Sequence, residues 1–324
     1  MAGGGEGRAP KRRGLPSGIK NKVKRGEVHA RVQQEKKKEK KQRVLKRKKE
    51  EEAAVALGEA PPPKKIPRTI EGTREVDDTL VRPDDQELQA EEAQDEFSGH
   101  FARAVAPKVL VTTCRRPSKG LLRFVAELLG LLPGAHFYKR ADYAVKQMVQ
   151  YATARGFTAL LVLHENRKRP NGLLLVSLPA GPTAHFRLSS LKLRADIPGA
   201  GRPTRHIPEL ILNNFSTRLG LRVGRQLASL FPQAPQFRGR RVVTFHNQRD
   251  YIFVRHHRYI FEERGGRKGG ADPGAPVLAR LQECGPRFTL KLLSLQKGTF
   301  DSKAGEYEWA HKSDMDTSRR RFFL

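Results

Sequence analysis

The first run of residues able to start a hydrophobic core, KVLVTTC at Lys108–Cys114, begins only at position 108 of a 324-residue chain. Between Lys11 and Lys49 the apolar side chains are few and isolated: Leu15, Ile19, Val23, Val28, Val32, Val44 and Leu45. They cannot bury enough area to offset the entropy of ordering the backbone. A packed domain is therefore confined to the chain beyond residue 106. What precedes it divides into a basic low-complexity tail, residues 1–60, and a Pro-containing, acidic linker, residues 61–106.

Charge follows the same division. Residues 1–50 hold 19 Lys and Arg against 5 acids, residues 71–96 hold two arginines against 11 acids, and residues 97–324 hold 39 bases against 15 acids. The net charge of +29 makes polyanions the first partners to consider, either nucleic acid or an anionic surface. Within the tail, Gln33–Ala56 is rich in strong helix formers with Glu and Lys at helical spacing, which allows a solvated helix. Pro61–Pro63 would break it. The run Lys46–Lys49 has the composition of nuclear import signals and nucleic-acid arms, and equally of a plain solubilising tail. Glu71–Glu96 reads most simply as a linker; shielding the basic body and meeting a basic partner are the other uses for it.

No apolar run approaches the roughly 18 residues of a spanning helix, so no membrane partner is expected. The opening MAGGGEGRAPKRR lacks the apolar centre of a secretion signal. Cys114 and Cys284 form no CxxC pair, which suits a reducing compartment.

The body reads as an α/β chain, an α+β sandwich. Lys108–Cys114 is a short β-branched strand bounded by Pro107 and Arg115-Arg116-Pro117. Ser118–Leu132 is an amphipathic helix that stops at Pro133-Gly134. A short strand follows at Ala135–Lys139, a helix at Asp142–Arg155, and strands at Phe157–His164, Gly172–Leu178 and Thr183–Leu193, with a turn at Glu165–Asn171. A second unit repeats the helix-before-sheet order. Leu210–Phe215 is ambiguous, Gly220–Leu230 is a helix, and Arg241–His246, Asp250–Phe261 and Phe288–Leu295 are strands. Gly265–Pro276 is expected as a flexible surface loop.

The segment Arg240–Phe261, RRVVTFHNQRDYIFVRHHRYIF, is the most informative. His246–Arg249 would turn the chain between two strands. Period two then puts Tyr251, Phe253, Arg255, His257, Tyr259 and Phe261 on one face, with Ile252, Val254, His256, Arg258 and Ile260 on the other. Aromatics interleaved with Arg and His are what an RNA-binding sheet presents, and a rimmed core gives the same pattern. His246, His256 and His257 lack a carboxylate or Cys at ligand spacing, so no metal is expected. There is no phosphate-cradling GxxxxGK[ST] or GxGxxG in a strand–loop–helix setting, and no nucleophile elbow. No cofactor and no enzymatic activity are expected.

Three segments carry a family resemblance: KVLVTTCRRPS at Lys108–Ser118, PNGLLLVSLPAGPTAHFRLSSLKLR at Pro170–Arg194, and Arg240–Phe261. Over roughly Pro107 to Phe300 the body resembles a Brix domain, the module of a family of eukaryotic ribosome-assembly factors. HIPELILNNF at His206–Phe215, GPRFTLKLLSLQKGTFDSKAGEYEW at Gly285–Trp309 and the closing MDTSRRRFFL look most like the branch that serves the large subunit. Gly265–Pro276 departs from the family as an extra insertion, and Cys114 stands where Ser is more usual.

The resemblance implies a domain at 107–300 built of two similar halves, about 107–200 and 201–300, followed by an extension at 301–324. Each half would resemble the anticodon-binding domain of class II aminoacyl-tRNA synthetases. It further implies a nuclear, nucleolar factor that binds precursor rRNA beside a dedicated protein partner. Carried onto this sequence, the RNA-facing residues would be Arg240, Arg241, Asn247, Gln248, Arg249, Arg255, His257 and Arg258. Arg115, Arg116 and Lys119, at the start of a helix whose N-terminus favours phosphate, are second candidates. A protein scaffold touching RNA mainly through its tail and a small-subunit factor of the same family are the alternatives.

Overall fold

Val109–Thr113 is buried at every position, as a strand covered on both faces must be, and it lies within one 11-stranded sheet that organises the body. The computed structural model describes residues 20–56, 67, 69, 71–82, 85–263, 277–301, 304–318 and 320–324. The chain divides into two units, Met1–Thr69 and Ile70–Leu324. The first contains a single helix among its described residues, α1 (Lys22–Ala56). It starts earlier than the sequence suggests because the Asn21 side chain caps it, accepting from the Val23 and Lys24 amides at 3.0 and 3.3 Å. Pro61–Pro63 and the loop Gly265–Pro276 lie outside the described residues.

The second unit runs α2 (Gln86–Gln94), α3 (Ser98–Phe101), β1 (Val109–Thr113), α4 (Lys119–Leu131), β2 (Ala135–Phe137), α5 (Val145–Ala154), β3 (Ala159–Asn166), β4 (Arg169–Ser177) and β5 (Thr183–Lys192). It continues with β6 (Glu209–Asn213), α6 (Arg218–Ala228), β7 (Arg241–Gln248), β8 (Tyr251–Glu263), β9 (Val277–Glu283), β10 (Arg287–Gln296) and β11 (Tyr307–Ala310). The sheet order is β2-β1-β3-β4-β5-β10-β8-β7-β6, with β11 on β10 and β9 on β8. β1 and β3 are parallel neighbours joined through α4, β2 and α5, and β3, β4 and β5 are antiparallel. The second half repeats this with β6 parallel to β7 across α6, then β8 and β10 antiparallel. β5 and β10 join the halves antiparallel. The fold is the α/β class expected, in two similar halves. Each half bends its central hairpin through two residues at positive φ, Arg167-Lys168 and Arg249-Asp250, a turn whose twist matches that of the strands.

α4 and α6 cover one face over a continuous core that includes Phe124, Leu121, Val223, Leu227, Phe186, Phe245, Ile252, Val254, Phe288 and Leu290. On the opposite face α5 covers only the first half, with Met148, Val149 and Ala152 on Leu110, Leu160, Val162 and Val176. Among the described residues the second half has no counterpart of α5, so the outer face of β10, β8 and β7 is left open.

Three expectations change. The segment expected as an acidic linker packs on α6 through carboxylates. Asp95 takes Arg225 Nε at 2.7 Å, Glu96 takes Arg222 at 2.7 Å, and Asp85 and Glu87 take Arg218 at 3.4 and 3.2 Å. Phe97 is buried beside them. Arg218, Arg222 and Arg225 recur at helical spacing, so one stripe of α6 meets one acidic strip of chain. The stretch beyond residue 300 adds β11 to the sheet and buries Phe322 and Leu324. Finally, Val277–Glu283, beyond the Gly- and Pro-rich stretch of sequence, is a strand, β9, that is exposed at nearly every residue, so it has no alternation to betray it.

Candidate nucleic-acid interface

The alternation of β8 is realised. Ile252, Val254 and His256 are buried under the helices, while Tyr251, Phe253, Arg255 and His257 stand on the open face. Register extends that face across four strands, since paired residues share a side of the sheet. Arg187 of β5, Lys291 of β10, Tyr251 of β8 and Gln248 of β7 form one row. Ser189, Thr289, Phe253 and His246 form the next. Lys291 Nζ lies 5.6 Å from the Tyr251 ring centre and the Arg255 guanidinium 5.6 Å from that of Phe253. His246 Nδ1 meets Asn213 Nδ2 at 3.0 Å. Carboxylates enter this surface at Glu283, which Arg287 holds at 2.7 Å through Nε, and at Glu209, which accepts from the Tyr259 hydroxyl. Burial pushes the His257 imidazole below its ordinary pKa, which Glu283 only partly offsets, and burial also lowers Arg255. A face of rings and cations in two rows can stack unpaired bases and hold the phosphates between them.

The residues expected to face RNA separate into two groups. Gln248, Arg255 and His257 stand on the open face, Arg249 is exposed at the β7–β8 turn, and Arg240 is exposed with positive φ at the entry to β7. Arg241 and Asn247 do not face outward; each is 4% exposed. Arg241 donates to the Thr204 and His206 carbonyls at 2.8 and 2.9 Å, to the Gly130 carbonyl, and to His256 Nε2 at 2.8 Å. Asn247 donates to the Asn214 and Leu324 carbonyls at 2.9 and 3.0 Å. The reason is register. Arg241 shares the inward parity of Val243 and Phe245, and because β7 runs on through Gln248, with the turn at Arg249-Asp250 and not His246–Arg249, Asn247 falls on that inward side too. Arg258 is on the side away from the open face and donates to the Arg202 carbonyl at 3.3 Å.

Arg115, Arg116 and Lys119 are exposed at the start of α4. The helix N-terminus itself is not vacant for phosphate. Ser118 caps it, accepting from the Leu121 amide at 3.2 Å, and Glu165 binds the Ser118 amide and hydroxyl at 2.7 and 2.6 Å. Sequence reasoning missed Arg187, Ser189 and Lys291. They adjoin β8 only through pairing across the two halves; their one local sign is a cation interrupting an apolar strand in HFRLSS and TLKLLS. Among the described residues no group of three metal-ligating side chains comes together, and no helix is long and apolar enough to cross a membrane.

Residues 114–294 match the model of the Brix domain. The chain belongs to the Brix-domain family. The Brix match runs from the end of β1 to Ser294 of β10, so it holds both the half covered by α5 and the open half. Over 271 residues, 83% of this chain and 74% of the relative, the sequence is 54% identical to ribosome production factor 1 of Pongo abelii. It is 47% identical over 264 residues to a Brix domain-containing protein of Schizosaccharomyces pombe, covering 81% of this chain and 84% of that one. A solved structure of a probable ribosomal biogenesis protein from Aeropyrum pernix K1 aligns with 57% of this chain and 96% of its own, at 19% identity and a TM-score of 0.41.

Proposed function

We propose that this chain is a non-catalytic ribosome-biogenesis factor of the nucleolus that binds precursor rRNA of the large subunit through the open face of its second half. The observation that carries the reading is the two-row surface of Arg187, Lys291, Tyr251, Gln248, Phe253 and Arg255, left uncovered where the first half has α5. The 54% identity to a ribosome production factor supports the process. The net charge of +29 supports a polyanionic partner. The mechanism is that of a chaperone. Cations supply affinity by counterion release, rings select unpaired bases, and the factor holds an RNA segment until the particle matures. A protein partner in the pre-ribosomal particle takes other surfaces, and the basic tail contributes unselective attraction.

The test compares full-length variants by ultraviolet crosslinking in cells with sequencing of the attached RNA. Lys291→Glu with Arg255→Glu should remove crosslinks to large-subunit precursor RNA, while deletion of residues 1–60 should lower their yield without changing their position. The reverse ranking would make the body a protein scaffold and the tail the RNA contact.

A further inference from the structure

At the β2 edge of the sheet, away from β8, three of the chain's six tyrosines gather around one cavity. Tyr138, Tyr143 and Tyr151 are 51%, 49% and 54% exposed, although each ring is large enough to be buried. The cavity they border is about 130 Å³, with an apolar floor of Leu110, Met148, Ala152 and Phe157. Tyr143 and Tyr151 meet edge to face at 5.7 Å between ring centres, and Tyr138 meets Phe157 in the same manner at 6.3 Å. The charged part of the lining is cationic: Lys139, Arg140 and Arg155, with no carboxylate. Lys108 adds a fourth cation, its Nζ 4.5 Å from the Phe157 ring centre. Arg140 lines the cavity and donates from Nε to the Tyr143 carbonyl at 3.0 Å. Burial, and then the repulsion of Arg115, lower its affinity for its own proton.

An apolar slot walled by rings, rimmed by cations and free of carboxylates suits a planar apolar group carrying a negative charge at one end. A protein segment would need acidic residues placed to match four cations and aromatic side chains to fill the floor. A nucleotide brings both features in one unit. We infer that this cavity takes a single unstacked nucleobase of RNA, one face against the Tyr143–Tyr151 ring pair and its phosphate on Arg140 and Arg155. The inference rests on the RNA-binding reading above and gives it a second contact point at the opposite end of the sheet. A strand engaged at both ends would be held extended and unpaired, which is what a factor that keeps an RNA segment from pairing prematurely requires.

The experiment is fluorescence anisotropy of the full-length protein with a labelled single-stranded RNA of mixed sequence and with the same RNA made abasic. Tyr143→Ala with Tyr151→Ala should weaken binding of the intact RNA by roughly tenfold or more, the loss of one stacked base, and leave the abasic RNA unchanged. Tyr143→Phe with Tyr151→Phe keeps the rings and should restore binding. Both tyrosines are exposed, so thermal denaturation followed by circular dichroism should not move. Equal loss on the abasic RNA would reduce the site to a phosphate contact and overturn the inference. Unchanged RNA binding with loss of association with pre-ribosomal proteins would assign the rings to a protein and overturn it equally. If Lys291→Glu with Arg255→Glu weakens binding and the tyrosine variant does not, the RNA reading stands and the cavity fails. If neither variant matters, the RNA reading fails with it.

Discussion

Arg241 Nε donates to Nε2 of His256 at 2.8 Å, and His256 Nδ1 meets the Gly285 carbonyl at 2.8 Å. The imidazole is therefore neutral, with its proton on Nδ1, and a buried guanidinium occupies its other nitrogen. The pair ties β7 to β8 and, through the Thr204, His206 and Gly130 carbonyls, ties the connection before β6 and the end of α4 to the same point.

Arg241→Ala should cost about 3 kcal/mol or more, because several buried acceptors lose their donor at once. Arg249→Ala, at the exposed turn, should cost less than about 0.5 kcal/mol. Urea denaturation of the two variants distinguishes a structural arginine from a surface one.

Desolvation, with the repulsion of Arg241, lowers the His256 pKa from 6.5 to about 4. A histidine whose folded pKa is depressed stabilises the fold fully above the unfolded value, and that contribution is lost as pH falls from about 6.5 toward about 4. The contribution is of order 3 kcal/mol. Unfolding free energy measured across this window should fall steeply in the wild type and less steeply in His256→Gln.

Tyr251 is 43% exposed beside Lys291. Tyr251→Ala should therefore lower stability by less than about 1 kcal/mol and weaken RNA binding. Lys291→Gln and Arg187→Gln should each reduce the slope of log affinity against log salt by about 1. Titrations at several salt concentrations, with thermal melts as controls, check both statements.

The clamp of Asp95 on Arg225 and Glu96 on Arg222 holds residues 85–101 on α6. Asp95→Ala should cost about 1–3 kcal/mol and raise hydrogen exchange across α2 and α3 before the sheet. The hydrogen bond from Arg222 holds the Glu96 carboxyl below its ordinary 4.5, so this support is present above that pH and is lost as acid protonates it. Exchange measured at neutral and acid pH should show α2 and α3 loosening first.

Leu324 is 1% exposed, and the Phe323 and Leu324 amides donate to Asp250 Oδ1 at 2.8 and 2.9 Å. Leu324→Ala should cost about 2–5 kcal/mol, as for any buried leucine. Asp250→Ala should loosen the same segment while adding strain at a turn residue of positive φ. Chemical denaturation of both variants tests whether the last residues belong to the core.

Much of the body could be read along the chain. Val109–Thr113, α4, α5 and the strands of the first half lie within a few residues of their expected places, because short β-branched runs and apolar stripes are local signals. The alternation of β8 was equally legible, and with it Arg255 and His257. Asn247 was misplaced because β7 runs two residues further than expected, which turns a turn residue into an inward strand position, and Arg241 because its charge hid that it shares the inward parity of Val243 and Phe245. β9 escaped because exposure at nearly every residue erases periodicity.

The sequence by itself determined that a basic chain with no early core would carry a tail and an α/β body, and that Tyr251–His257 would present rings and cations to one side. Only the tertiary structure decided that this side is open. That depends on a helix in the first half without a counterpart in the second, and on Arg187 and Lys291 arriving from strands far away in the chain. The same holds for the acidic segment, whose carboxylates say nothing of their partners until α6 brings Arg218, Arg222 and Arg225 into one stripe beneath them. Periodicity is a property of neighbours in sequence, whereas a surface is made by strands that pair across it.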